Sequence, residues 1–71
     1  MQGTTTPPRL LRLPEVIRTT GLSRSSIYDL IAQGRFPRPI PLTASARAWD
    51  SREIEIWIAE RIAARDEGAA A

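Results

Sequence analysis

The chain has 71 residues, of which 42% are hydrophobic, and its net charge at pH 7 is +2. This length suits one small domain, whose hydrophobic core alone contributes only ~3–5 kcal/mol of stability. Cysteine and histidine are both absent, so the sequence lacks a thiolate, the usual soft metal ligands and the usual base at neutral pH. We therefore expect a protein that binds no metal, cofactor or small-molecule substrate and is not an enzyme.

Residues 1–9 are mostly polar and include Pro7 and Pro8, which resist helix formation, so we expect a disordered lead-in. Nowhere does the sequence contain an apolar run near the ~18–20 residues that a membrane span requires. Its start also lacks the charged and then hydrophobic order of a signal peptide. These features predict a soluble, cytoplasmic protein that binds no membrane.

Positive charge is concentrated in the first two thirds of the chain. Residues 1–49 contain seven arginines and two acids, a net charge of +5, whereas residues 50–71 contain three arginines and six acids, a net charge of −3. A basic N-terminal segment suits contact with phosphate, and an acidic C-terminal segment discourages binding through the other face of the domain. Small domains also show such asymmetry by chance, so charge alone does not establish a nucleic-acid binder.

The first helix is predicted over residues 14–20. Pro14 suits the first helical position, where its missing N–H costs no hydrogen bond, and Val16 and Ile17 are expected to face the core. Gly21 follows, and glycine readily adopts the left-handed conformation that ends many helices. A short helix that ends in a glycine corner is typical of the first half of a helix-turn-helix.

A second helix is predicted over residues 24–33, directly after that corner. The Ser23 side chain can accept a hydrogen bond from a free backbone N–H at the helix start, and Gly34 closes the helix. At ~100° per residue the apolar side chains cluster on one side, opposite a short polar side. The inward residues are Ile27, Leu30 and Ile31, and the outward residues are Ser25, Tyr28, Asp29 and Ala32.

Residues 35–42 are predicted to form an edge strand or an extended wing, because three alternating prolines exclude a central strand. Residues 43–45 are small turn formers, and residues 46–49 are predicted to return as the second strand of a β-hairpin. This hairpin is expected to bring Arg38 and Arg47 to neighbouring positions. Trp49 is expected to lie in the core.

A third helix is predicted from a cap at Asp50 or Ser51 to about residue 65. Ile56 points away from its buried side, which marks either a contact with another protomer or partner, or an ordinary exposed isoleucine. Residues 66–71 are expected to be a flexible tail. The pattern predicts a mostly α protein with a small β-hairpin wing, a three-helix winged helix-turn-helix over residues 10–65. The expected buried stripe of the third helix is Ile54, Trp57, Ile58 and Ile62.

The second helix has the features of a helix that reads DNA. A helix in the major groove presents short polar side chains near its N-terminus, where they reach base edges without holding the backbone away. The helix start also directs free N–H groups toward a phosphate, and a tyrosine one turn along supplies a hydroxyl. The alternative is a plain capping and turn cluster. The candidate residues are Ser23, Arg24, Ser25, Ser26, Tyr28 and Asp29.

Asp29 opposes this hypothesis, because phosphate repels a carboxylate unless it accepts from a cytosine amino group or orders a nearby arginine. We favour the ordering role. In the wing, Arg35, Arg38 and Arg47 are candidates to clamp the DNA backbone, with insertion into the minor groove as the more specific option. The alternative for these arginines is a solvated charged loop.

Four blocks of sequence occur in order: Leu13-Pro-Glu-Val, Gly21-Leu-Ser-Arg-Ser-Ser-Ile-Tyr, Gly34-Arg-Phe-Pro, and Trp49 with Glu53 and Trp57. Together they resemble the AlpA-type regulators and excisionases of phages and prophages, relatives of the MerR-like winged-helix DNA binders. The similarity spans about residues 11–58. The sequence departs from the family pattern at Asp29, where a basic residue is common, and at residues 43–46, where a more basic, glycine-containing tip is common.

The resemblance implies sequence-specific binding of double-stranded DNA, with Arg24, Ser25, Ser26 and Tyr28 in the major groove and the wing on the backbone or minor groove. Family members regulate transcription, or bend attachment-site DNA so that an integrase carries out excision, and the sequence leaves both roles open. Several copies are expected to bind along repeated sites, because one such module buries little surface. The alternatives are a protein-interaction domain and a DNA-packaging adaptor, similar to a small terminase, that uses the same winged helix.

Overall fold

The computed structural model describes residues 7–70, and for residues 69 and 70 only the backbone. It contains three helices and a small three-stranded antiparallel sheet, which confirms the predicted fold class. Of the expected lead-in over residues 1–9, residues 1–6 lie outside the described residues, and Arg9 is hydrogen-bonded to Ser51. In chain order the elements are β1 Leu10–Leu11, α1 Leu13–Thr20, α2 Arg24–Ala32, β2 Ile40–Pro41, β3 Arg47–Asp50 and α3 Ser51–Ala70.

Helix α1 ends as its sequence predicts. Gly21 has a φ of 76°, in the left-handed region, and its N–H donates to the Ile17 carbonyl at 2.9 Å. The Thr20 hydroxyl donates to the Val16 carbonyl at 2.8 Å, which satisfies a second carbonyl of the last turn. The helix starts one residue earlier than predicted, so Pro14 occupies its second position, where a backbone N–H is equally dispensable.

Helix α2 is fixed at both ends by the residues that its sequence indicates. Ser23 has extended backbone angles, and its Oγ accepts a hydrogen bond from the Ser26 N–H at 3.1 Å. Gly34 has a φ of 72° and closes the far end, and the Arg35 N–H donates back to the Leu30 carbonyl at 2.8 Å. Both ends of α2 are therefore fixed by local hydrogen bonds.

The sheet has the order β1-β3-β2, with β3 in the centre. Strand β1 was not among the predicted elements, because two leucines carry no period-two pattern. The prediction that the hairpin would bring Arg38 and Arg47 to neighbouring positions is wrong. Arg47 lies opposite Pro41, and Arg38 precedes the paired residues. The register follows from the hairpin tip, where the Leu42 N–H donates to the Ala46 carbonyl at 2.8 Å.

The core forms where α1, α2 and the start of α3 pack against the sheet. Trp49 is its largest member, 1% exposed, and its indole N–H donates to the Pro37 carbonyl at 3.0 Å. This bond satisfies a polar group that burial would otherwise leave unpaired. The fully packed apolar residues are Leu11, Val16, Ile27, Phe36, Trp49 and Ile54.

Helix α3 is longer than predicted and is buried only near its start. The expected burial of Ile62 is wrong: its side chain is 48% exposed, because the other elements cover α3 only as far as Trp57 and Ile58. The helix continues to Ala70 instead of ending near residue 65. Within residues 7–70, no helix is both long and apolar enough to span a bilayer.

Asp50 caps α3, and Ser51 has a different task. The Asp50 carboxylate accepts from the Arg52 N–H at 2.8 Å, while the Ser51 hydroxyl accepts from the Arg9 N–H at 2.9 Å and so ties the chain before β1 to the helix start. The hydrogen bond from the Arg52 backbone lowers the pKa of Asp50 below its ordinary value, and the Arg52 guanidinium adds to that effect. The capping residue is thus held in its charged form.

Candidate DNA interface

The N-terminal turn of α2 presents polar side chains to solvent, but not all of them are available for a ligand. The Ser23 and Ser26 hydroxyls lie 3.0 Å apart and hydrogen-bond to each other, and Ser23 also caps the helix. Arg24 and Ser25 are exposed and have no such task. The capping alternative therefore describes Ser23 and Ser26, and Arg24 and Ser25 are the side chains best placed to reach an external ligand.

A cleft of about 270 Å³ opens beside this turn, between the start of α1, helix α2 and the hairpin. Three arginines line it, each from a different part of the chain: Arg12 before α1, Arg24 in α2 and Arg47 in β3. The remaining lining residues are Leu13, Pro14, Tyr28, Ser45 and Trp49. The fold thus brings helix α2 and the hairpin residue Arg47 together, with Arg12 and Ser45 beside them.

The cleft is electrostatically one-sided. None of the described residues that line it is acidic. The ion pairs found within residues 7–70 use Arg9, Arg52 and Arg65, and none of them uses a cleft arginine. Guanidinium groups gathered without carboxylates attract anions, and their planar forks match phosphate oxygens in pairs.

Tyr28 is held at the cleft by an aromatic contact. Its ring lies edge-on to Trp49, with centroids 6.5 Å apart and planes 65° apart, a favourable arrangement for aromatic pairs. Trp49 is held by core packing and by its hydrogen bond to the Pro37 carbonyl. The Tyr28 ring therefore packs against a well-anchored side chain. Its side chain remains 40% exposed.

The structure does not bring all the predicted site residues together. Arg38 is exposed in the segment between α2 and β2 and does not line the cleft. Arg35 lines a separate groove against α3, where its carbonyl accepts from the Trp57 indole N–H at 2.9 Å. Asp29 is exposed, and its carboxylate forms no ion pair with any residue in the described part of the chain, so the expected contact with an arginine is not present.

That separate groove, of about 500 Å³, contains Ile56, the residue predicted to mark a partner contact. The Ile56 side chain is 59% exposed. Beside it the Trp57 ring packs edge-on against Phe36 at 5.0 Å, and the Arg61 guanidinium lies 5.7 Å from the Trp57 centroid. Unlike the cleft, the groove combines apolar surface with charges of both signs.

Arg12 lines the cleft, but the sequence pattern does not indicate it as a candidate site residue. It stands before a predicted helix with no basic neighbour beside it, and nothing local shows that the start of α1 lies next to α2 and the hairpin. The only available signal is the general excess of arginine before residue 50. Within the described residues, no group of three or more acidic, histidine or cysteine side chains is arranged to hold a metal.

The helix-turn-helix, the hairpin wing and the arginine-lined cleft between them place this chain in the class of winged-helix proteins. The chain belongs to the AlpA family, since the family model described as "Prophage CP4-57 regulatory protein (AlpA)" matches residues 9–62. This confirms the resemblance seen in the sequence blocks.

Two curated proteins are similar to this chain. The "Uncharacterized protein ORF88" of Enterobacteria phage P4 is 48% identical over 63 residues, which cover 89% of this chain and 72% of that protein. The "DNA-binding transcriptional activator AlpA" of Escherichia coli K12 is 36% identical over 59 residues, which cover 75% of this chain and 84% of that protein. No solved structure matches the chain significantly.

Proposed function

We propose that this protein is a DNA-binding transcriptional regulator of phage or prophage origin that recognises a specific double-stranded sequence and performs no catalysis. The observation that carries the proposal is the position of the exposed Arg24 and Ser25 beside a cleft whose described lining includes three arginines and no acid. The AlpA relative, described as a DNA-binding transcriptional activator, supports it.

In this proposal α2 enters the major groove. Arg24 and Ser25 contact base edges, while Ser23 and Ser26 hold the helix start in shape and leave backbone N–H groups near the phosphates. Tyr28 contributes its hydroxyl to the backbone. Because Asp29 is exposed and pairs with no arginine among the described residues, its best role is to accept from a cytosine amino group, which makes it a determinant of the target sequence.

The wing contacts follow the same geometry. Arg47 lies in the cleft and contacts the backbone next to the site read by α2. Arg38, exposed before β2, reaches the backbone or minor groove further along the duplex. A contact between Arg35 and DNA remains a prediction, one that requires the duplex to extend toward the groove at α3.

The groove at Ile56 favours a second, compatible role. An exposed isoleucine beside an aromatic pair and charges of both signs has the composition of a protein contact. We propose it as the surface through which the protein meets an integrase, acting as an excisionase, or a neighbouring copy on DNA. If the protein is instead a DNA-packaging adaptor, its gene should lie beside the gene for a large terminase.

Gel shifts test the proposal directly. The probes are the DNA upstream of the protein's own gene and the nearest attachment site, with an unrelated duplex of equal length as control. We expect a complex on at least one of the two probes that is tighter than on the control and weakens steeply between about 50 and 200 mM salt, because phosphate contacts release counterions. Equal, salt-insensitive or undetectable binding to all three would overturn the proposal.

A bending assay on the bound probe separates the two regulatory roles. Circularly permuted probes that migrate differently in complex indicate a bend, which assembly of an excision complex requires. If migration of the attachment-site complex does not depend on the position of the site in the probe, the DNA is not bent. If the protein also changes transcription from the upstream DNA, transcriptional regulation is the role that remains.

A further inference from the structure

We propose that the cleft between α1, α2 and the hairpin binds a DNA backbone phosphate through Arg12 and Arg47, beside the base-contacting Arg24. The inference rests on the proposed function and deepens it, since it assigns a residue outside both the recognition helix and the wing to DNA binding. Arg12, Arg24 and Arg47 line this cleft together.

The three arginines are held in place by independent features of the fold. Arg24 opens α2, whose start is fixed by the Ser23 cap. Arg47 is paired with Pro41 across the hairpin. Arg12 directly follows Leu11, which pairs with Trp49 in the sheet. The arrangement therefore exists before any ligand arrives, and binding does not have to pay the ordering entropy of a loop.

The side chain of Arg12 has no structural task that accounts for its position. It occupies the N-cap of α1, but only its backbone carbonyl is used, accepting from the Glu15 and Val16 N–H groups at 3.0 Å. The side chain makes no capping hydrogen bond, and arginine is a poor choice for a cap. Its positive charge at the positive end of α1 is, moreover, unfavourable until an anion joins it.

The charges of the cleft indicate the class of ligand. Three guanidinium groups around one small space repel one another, and no carboxylate among the described lining residues offsets that repulsion. An anion with several oxygens relieves it and accepts paired hydrogen bonds from the guanidinium forks. Ser45 and Tyr28 add hydroxyl groups at the same cleft. Phosphate meets these requirements, and the adjoining polar turn of α2 points to a phosphate that belongs to a duplex.

The test is the salt dependence of DNA affinity for Arg12→Ala, with Arg65→Ala as the matched control. Both variants lose one positive charge, but Arg65 lies near the far end of α3, paired with Asp66 and outside the cleft. For Arg12→Ala we expect affinity to fall about tenfold and the slope of log affinity against log salt to decrease in magnitude by about 0.9, the value for one phosphate contact. Arg65→Ala should change both little.

A second arm separates a shared site from general charge loss. Arg12→Ala and Arg47→Ala should be non-additive in DNA affinity by more than about twofold, because both line one cleft, whereas Arg12→Ala and Arg65→Ala should be additive. Inorganic phosphate, added at a fixed ionic strength, should not displace the duplex at millimolar concentration. Displacement by free phosphate would overturn the assignment of the cleft to a DNA phosphate and assign it to a free anion.

The outcomes also distinguish this inference from the proposed function. If the unmodified protein binds DNA with a steep salt dependence but Arg12→Ala behaves like Arg65→Ala, the cleft assignment is wrong and the proposed function stands. If the unmodified protein forms no salt-sensitive complex with any duplex, both are wrong. Circular dichroism of Arg12→Ala tests whether the variant is folded, and Arg12→Gln serves as a second uncharged variant that keeps the first three carbons of the side chain.

Discussion

The cleft and the groove are two concave regions on one small domain, and they differ in the charges of the residues that line them. The cleft gathers arginines from three separate parts of the chain without a carboxylate among its described lining residues, while the groove contains apolar side chains, two glutamates and two arginines. A like-charged surface is costly unless an anion occupies it, whereas a mixed apolar surface is typical of protein contacts. The net charge of +2 therefore says little about binding, because the cleft and the groove differ in how charge is distributed between them.

Replacement of Trp49 should remove both regions at once. Trp49 lies under the cleft, and its indole N–H holds the carbonyl of Pro37, a residue of the groove. Trp49→Ala leaves a large cavity and is expected to cost about 3–5 kcal/mol, which is as much as a core of this size supplies. Thermal unfolding followed by circular dichroism should show no cooperative transition at 25 °C or above. Trp49→Phe, which keeps most of the packing, should remain folded; a stable Trp49→Ala variant would contradict the central position of this residue.

The double variant Arg24→Ala, Ser25→Ala should impair the cleft side alone. Each good base contact contributes roughly 1–3 kcal/mol of discrimination, so we expect specific affinity to fall at least tenfold while the thermal midpoint changes little, because both side chains are exposed. Gel shifts with specific and unrelated probes measure the loss. A preserved ratio between the two probes would show that α2 does not read the bases.

Ser23→Ala should loosen the wall of the cleft by removing the cap of α2. Loss of such a cap costs about 1 kcal/mol, which lowers the thermal midpoint by roughly 4–8 °C in a domain of this size. Ser25→Ala is the matched control, since that hydroxyl lies two residues away on the same surface and has no capping bond. Equal midpoints for the two variants would contradict the capping role of Ser23.

Ile56→Glu should impair the groove side alone. The side chain is 59% exposed, so the substitution should change stability by no more than about 0.5 kcal/mol and DNA affinity by less than about twofold. If the groove meets a partner, regulation or excision in cells should nevertheless be lost. Full activity of Ile56→Glu in cells would show that the groove is not needed for function.

Acid should weaken the wall of the groove slightly, through the cap of α3. The Arg52 N–H lowers the pKa of Asp50 in the folded protein, so the stabilisation is fully present above the ordinary aspartate pKa and is lost as pH falls through the lowered value. Asp50→Asn, which retains a capping side chain but does not titrate, should lose less stability over the same acidic range. Identical pH profiles of the thermal midpoint would contradict this assignment.

Local physics explains which features the sequence predicts. The glycine corner at Gly21, the Ser23 cap and the buried Trp49 each follow from the residue and its immediate neighbours, and all three are confirmed. Arg12 and the exposure of Ile62 were missed because each depends on which elements meet in space. Periodicity identifies one face of a helix but not how far along its length other elements cover that face.

The strand register of the hairpin is another feature that the sequence pattern does not determine. Its turn was predicted at residues 43–45, and the structure has the Thr43 hydroxyl accepting from the Ala46 N–H there. The predicted pairing differs from the observed one, since Arg47 lies opposite Pro41 and not near Arg38. A shift of a few residues in register decides which arginine joins the cleft, and the sequence pattern alone contains no signal for it.

The central position of β3 has a consequence for how the protein is made. Strand β1 pairs with β3 through Leu10 and Asp50, residues separated by most of the domain. During synthesis α1 and α2 can form from local contacts, but β1 has no partner until β3 has left the ribosome. Because Arg47 and Trp49 belong to that same strand, a nascent chain acquires its cleft only when the sheet closes. Incomplete chains that contain α2 but lack β3 therefore lack the complete cleft.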